Sequence, residues 1–176
     1  MTDKVFKNLS DFPQGIEGIR KQGYAMLKSD NPKMVAAGKR FLCEHDLKYL
    51  CEEQLGYKDW DVIHDDMQEF ADSIEIGTID IQYRLMLIPR GHLKSSIFTI
   101  GWSIQQILRR PNIRILIAHA IWDHSRGFAR TIMQYFEDFS EIPELYGKFK
   151  PPFGGGKQWS PNVFTINQRT IPLKEG

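Results

Sequence analysis

Between Leu85 and Ile107 an apolar run, a proline, a short loop with one glycine and a second apolar run follow one another. This order constrains the fold more than any other feature of the chain. Leu85-Met86-Leu87-Ile88 has the length and composition of a strand covered on both faces. Pro89 ends the run, and Arg90-Gly91-His92-Leu93 turns the chain. Lys94-Ser95-Ser96 then opens a segment in which Ile97, Phe98, Ile100, Trp102, Ile104 and Ile107 recur as in a helix packed into a core. Strand, tight loop, Lys-Ser and helix is an arrangement that binds nucleotide phosphates, because N–H groups at a helix N-terminus face the anion and the helix dipole favours negative charge there. In such a loop Lys94 reaches the β- and γ-phosphates and the Ser95 hydroxyl ligates Mg²⁺. The strict pattern, G-x-x-x-x-G-K-[ST], is not met. Leu93 stands where the Gly before Lys is expected and Ile88 where the first Gly is expected, leaving only Gly91. Taken alone, the string also fits a surface turn ahead of an ordinary helix.

The surrounding texture favours the phosphate loop. Arg110-Pro111-Asn112 breaks the helix that starts at Lys94, and Ile113-Arg114-Ile115-Leu116-Ile117-Ala118-His119-Ala120 is a second strand-like run. Ile121 to Phe139 has helical spacing, with Phe128, Ile132, Tyr135 and Phe136 on one side. Strand, helix, strand, helix predicts a right-handed βαβ unit on a parallel sheet. The fold class expected is therefore α/β, a P-loop NTPase-type core over residues 77–176, preceded by a helical segment over residues 1–76. In that first segment helices are expected over Ile16 to Ser29, Lys33 to Gln54 and from Asp59 or Val62 to Ser73, with Asp30-Asn31-Pro32 as a stop-and-start signal and Gly56 just past a helix end. Lys150 to Lys157 has the Pro and Gly content of a loop. Asn162–Asn167 and Arg169–Leu173 alternate like a short meander.

Net charge is +1, but the basic residues cluster. Between Gly77 and Arg130 lie Arg84, Arg90, Lys94, Arg109, Arg110, Arg114, Arg126 and Arg130 against only Asp80 and Asp123, a distribution that suits a phosphate-bearing ligand. Cys43 and Cys51 fit neither a zinc site nor a disulfide framework and are expected to be reduced, as in a cytoplasmic protein. No apolar run approaches the ~18 residues of a membrane span, and Met-Thr-Asp-Lys does not open a signal segment.

Pro89-Arg90-Gly91-His92-Leu93-Lys94-Ser95-Ser96 resembles the ATPase loop of phage terminase large subunits, motors that move viral DNA into a preformed capsid. Members commonly read Pro-Arg-Gly-His-x-Lys-Ser-[Ser/Thr] and tolerate the missing Gly before Lys. Arg110 to Ala118 looks like the family's second strand and its lead-in turn. The Tyr146-Gly147-Lys148-Phe149 turn and Trp159 before Val163-Phe164-Thr165-Ile166 are also similar.

The resemblance implies ATP and Mg²⁺ as cofactors, double-stranded DNA as substrate, and portal protein, small terminase subunit and a homo-oligomeric ring as partners. It implies the cytoplasm of an infected bacterial cell as location. Arg90 matches a loop arginine that contacts the γ-phosphate, so Arg90 and Lys94 are the candidate catalytic residues. Gly91, His92, Leu93, Ser95 and Ser96 complete the nucleotide loop. The family reads adenine N-terminal to the loop, which makes Gln68 a candidate; it is otherwise a surface residue. Arg126 and Arg130, one turn apart, are candidate trans-acting arginines, or else a solvated basic helix face. Trp159 and the glycines before it are a candidate DNA contact, or else a hairpin connection with one packed Trp.

Two parts of the family pattern are unmatched. No strand-final acidic pair follows Ile166, and the family's nuclease domain is not matched. The chain is therefore expected to be the front part of a motor ATPase and to hydrolyse ATP negligibly by itself. The alternatives are a non-catalytic module that binds nucleotide, DNA or portal, and a fragment of another P-loop motor such as a helicase-like ATPase.

Overall fold

The computed structural model describes residues 15–74 and 84–171. Residues 1–14, 75–83 and 172–176, among them the end of the segment Arg169–Leu173, lie outside them. The described residues form a helical assembly. Helix α1 (Gly15–Leu27) packs against α2 (Pro32–His45). Gly23 makes that approach possible, because a Cβ there would stand 2.3 Å from Leu42 Cδ2. Asn31 caps α2 through its side chain, which accepts from the Lys33 N–H, and Pro32 occupies a position where a missing N–H costs nothing.

The sequence suggests one helix from Lys33 to Gln54, but the chain breaks at Asp46. That residue is extended, and its carboxylate accepts from the Lys48 N–H to start the short helix α3 (Leu47–Tyr49), which continues as a π-helical turn over Leu50–Gln54. Asp46 is buried. Its carboxylate also accepts from Arg20 Nε at 2.7 Å, Arg20 Nη2 at 3.2 Å and Gln68 Nε2 at 3.2 Å. A buried carboxylate with this many donors favours a break in the helix over its continuation. Gly56 follows with φ +76°, the left-handed conformation expected just past a helix end.

Helix α4 (Val62–Asp72) starts at Asp61, which caps it. After the loop at Pro89–Leu93 comes the central helix of the core. It runs as π-helix over Ser95–Trp102 and as α-helix α5 over Ser103–Arg109. Helix α6 (Trp122–Tyr135) and the short α7 (Ile142–Tyr146) complete the set. One continuous core joins residues before and after position 77. Leu42, Leu47, Leu50, Cys51, Met67, Ile97, Ile104, Ile132, Phe136, Ile142 and Ile166 all belong to it.

The expected α/β core with a parallel sheet is not what the chain forms. Among the described residues there is no strand ladder; the only β contact there is an isolated antiparallel bridge between Trp159 and Phe164. The two apolar runs expected to be buried strands have no regular secondary structure and are covered on one side. In the first, Met86 and Ile88 pack on the helical core while Leu85 is 79% and Leu87 84% exposed. In the second, Ile113 and Ile117 pack on the core while Leu116 is 91% exposed. Near that run the carbonyls of Asn112 and Ile113 accept from the Arg169 guanidinium at 2.7 and 3.0 Å, where a sheet would supply strand N–H groups. The apolar content of each run therefore reflects one packed face and not burial on two sides. The right-handed βαβ crossover falls with the sheet, as does the meander stacked on it. Among the described residues no helix is long and apolar enough to cross a membrane.

Candidate phosphate-binding loop

The loop hangs between two anchors. On one side Ile88 packs on the core, and on the other Leu93 does. Pro89 and Arg90 are exposed, and Arg90 to His92 form the turn. Gly91 has φ +91°, which only glycine adopts without strain. Leu93 has φ +48° and is the one non-glycine residue with positive φ among the described residues. A bulky side chain in that region costs roughly 1–2 kcal/mol, so the surrounding contacts must hold it there. Three are visible. The Leu93 side chain is half-buried on the core, its carbonyl accepts from the Ile97 N–H at 2.8 Å, and the carbonyl of the preceding His92 lies 3.2 Å from His64 Nε2.

The helix begins at Lys94, at the position read from the sequence, although the paired strand expected before the loop is absent among the described residues. Lys94 has right-handed dihedrals (φ −48°, ψ −48°) directly after the positive φ of Leu93. This succession of dihedrals is the kind that turns consecutive backbone N–H groups to one side in anion-binding nests. The Lys94 side chain makes no capping hydrogen bond, and the first turn of the helix has no acid. By contrast, Asn31 caps α2 and Asp61 caps α4. An uncapped N-terminus leaves several N–H donors for an external acceptor. Lys94 is exposed, and its ammonium reaches back over the loop toward the Ile88 carbonyl, at 3.5 Å a weak contact that a phosphate can displace. Ser95 is exposed and Ser96 half-buried. The Ser95 hydroxyl is the kind of oxygen donor that takes one position on an Mg²⁺ held mainly by phosphate and water.

Other candidate residues lie elsewhere. Gln68 is buried, and both ends of its amide are engaged around Asp46: Nε2 donates to the carboxylate, and Oε1 accepts from the Lys48 N–H at 3.2 Å. Arg126 and Arg130 are on α6. Arg126 Nη1 is 3.5 Å from Asp123, and the residue lines a cleft of about 460 Å³ between the Ile113–Ile117 run, α6 and Pro161–Ile166. Arg130 is exposed, and none of residues 89–96 lines that cleft. Trp159 is half-buried against Phe164 and donates to Glu137 Oε1 at 2.7 Å.

What sequence reasoning missed is the support under the loop. His64 was visible only as a polar residue one turn before Gln68 on a helix, and nothing in its spacing points to a carbonyl 28 positions away. Among the described residues no cluster of His, Cys, Asp and Glu could hold a metal by itself. Comparison with family models, with curated proteins and with solved structures finds no match to this chain.

Proposed function

We propose that Pro89–Ser96 binds the terminal phosphates of ATP with Mg²⁺, and that the chain is the nucleotide-binding part of a viral DNA-packaging ATPase of the terminase type. The observation that carries the phosphate reading is the uncapped helix N-terminus behind Leu93, held at φ +48° by contacts on both sides. In this reading the N–H groups that follow Leu93 cradle the phosphates. Lys94 contacts the β- and γ-oxygens, Arg90 neutralises the γ-phosphate and Ser95 ligates Mg²⁺. The motor assignment rests on the likeness of Pro89-Arg90-Gly91-His92-Leu93-Lys94-Ser95-Ser96 to the terminase loop. Double-stranded DNA, portal protein, small terminase subunit and a ring of copies belong to that assignment. Turnover by residues 1–176 is expected to be negligible, because Ile166 is not followed by the acidic pair that would orient a water on the γ-phosphate.

The test is titration of Mg-ATP into the wild type and the Lys94→Ala variant. The reading expects weak binding by the wild type and none by the variant, since Lys94 is the cation placed at the helix start. Equal affinity in the two proteins would exclude the loop as the phosphate site.

A further inference from the structure

We infer that His64 is a positioning residue for the phosphate loop: it holds the His92 carbonyl away from the anion and thereby sets phosphate affinity without touching the ligand. This rests on the phosphate reading of Pro89–Ser96 and deepens it. His64 is 3% exposed and stands in the first turn of α4. Its ring spans two structural elements. Nδ1 lies 2.9 Å from the Asp61 N–H, and Nε2 lies 3.2 Å from the His92 carbonyl oxygen.

A carbonyl oxygen only accepts, so Nε2 donates to His92, while Nδ1 faces the Asp61 backbone N–H. Asp61 Oδ1 is also 3.0 Å from Nδ1, as the reciprocal cap brings both groups of Asp61 to the ring. Trp60 lies beside the imidazole at 5.5 Å between ring centroids.

The consequence lies in the loop. Two features of an anion nest compete: N–H groups must face the ligand, and carbonyl oxygens must not. His92 precedes the residue with positive φ, so the direction of its carbonyl fixes the His92–Leu93 peptide plane and with it the turn into Lys94. Without His64 that carbonyl has no donor from α4, and the peptide can rotate its oxygen toward the anion. The competent loop then becomes one of several conformations, and apparent affinity falls by its fractional population.

Two substitutions separate the roles of the ring. His64→Asn keeps an acceptor near the Nδ1 position, and so the cap, but is too short to reach His92. His64→Gln is long enough to give His92 an amide donor and is itself a preferred capping-box residue. Amide hydrogen exchange is measured on the ligand-free protein, and inorganic pyrophosphate with Mg²⁺ is titrated by calorimetry. In His64→Asn, exchange at Gly91 to Ser95 is expected to rise and pyrophosphate affinity to fall about tenfold. In His64→Gln both are expected to return toward wild type. Trp60→Phe, which alters packing beside the first turn of α4 and keeps the His64 ring, is expected to leave loop exchange unchanged.

Wild-type exchange and affinity in His64→Asn would overturn the inference, as would equal loosening of the loop in Trp60→Phe. A wild type that binds pyrophosphate, with His64→Asn binding it equally, removes the role of His64 alone. A wild type that binds none removes the phosphate reading and this inference together.

Discussion

Gly101→Ala tests the packing behind the candidate loop, because Gly101 lies on the helix that the loop opens. A Cβ at Gly101 would stand 2.8 Å from Cys51 Sγ, 3.4 Å from the Ser96 carbonyl oxygen and 3.5 Å from Leu55 Cδ1. The last two are tolerable, but the first is well inside an ordinary non-bonded separation of ~3.5–4.0 Å. The sulfur must therefore yield by about 1 Å, and Cys51 is fully buried, so its neighbours move with it. Overpacking of this kind costs about 1–3 kcal/mol, against which replacing a helical glycine returns about 1 kcal/mol. A net loss of about 1 kcal/mol is expected by urea unfolding.

The sharper readout is the double mutant. Cys51→Ala alone removes a buried sulfur and should cost about 1 kcal/mol or more in cavity and lost contact. In Gly101→Ala/Cys51→Ala the new methyl occupies space the sulfur leaves. The two costs should therefore fail to add, with a coupling of about 1 kcal/mol or more. Additivity within about 0.5 kcal/mol would show that the two helices do not meet at this point.

Two further perturbations address the polar interior. Asp46→Ala leaves Arg20 and the Gln68 amide without their shared acceptor; a loss of about 2–3 kcal/mol is expected by urea unfolding, below the ~3–5 kcal/mol of a fully buried pair because the Arg20 side chain is 32% exposed. Burial, with the Arg109 charge adding to it, lowers the pKa of His45 to about 4, whereas an unfolded His titrates near ~6.5. A folded pKa below the unfolded one means that this contribution is complete above about pH 6.5 and is lost as pH falls toward 4. The urea midpoint of the wild type should therefore drop across that window relative to His45→Asn, and parallel pH profiles for the two proteins would contradict the assignment.

The local signals were legible in the sequence where they depend on neighbours in the chain. Asn31-Pro32 marks a helix start, Gly56 a helix end, and Gly91-His92-Leu93-Lys94 a turn into a helix, and the chain does each of these things. The failures are long-range. A run such as Ile113 to Ile117 is equally apolar whether both faces are covered or one, and composition cannot say which. The observed chain packs Ile113 and Ile117 and leaves Leu116 in solvent, so sheet formation was inferred from residues that only cover a helix. The break at Asp46 was missed for a related reason. Helical periodicity continues through it, and the donors that hold its carboxylate come from Arg20 and Gln68, 26 and 22 positions away. The same distance hides the support of the loop by His64.

Phosphate is expected to meet the backbone at the N–H groups that follow Leu93. Mapping the amide resonances of the isotopically labelled chain during titration with Mg²⁺-pyrophosphate reads this without requiring turnover. The N–H groups that follow Leu93, from Lys94 to Ser96, should shift most, together with Gly91, and these shifts should vanish in Lys94→Ala. Shifts confined instead to the cleft between Ile113 and Phe164, with Gly91 to Ser96 unmoved, would contradict the assignment of this loop as the phosphate site.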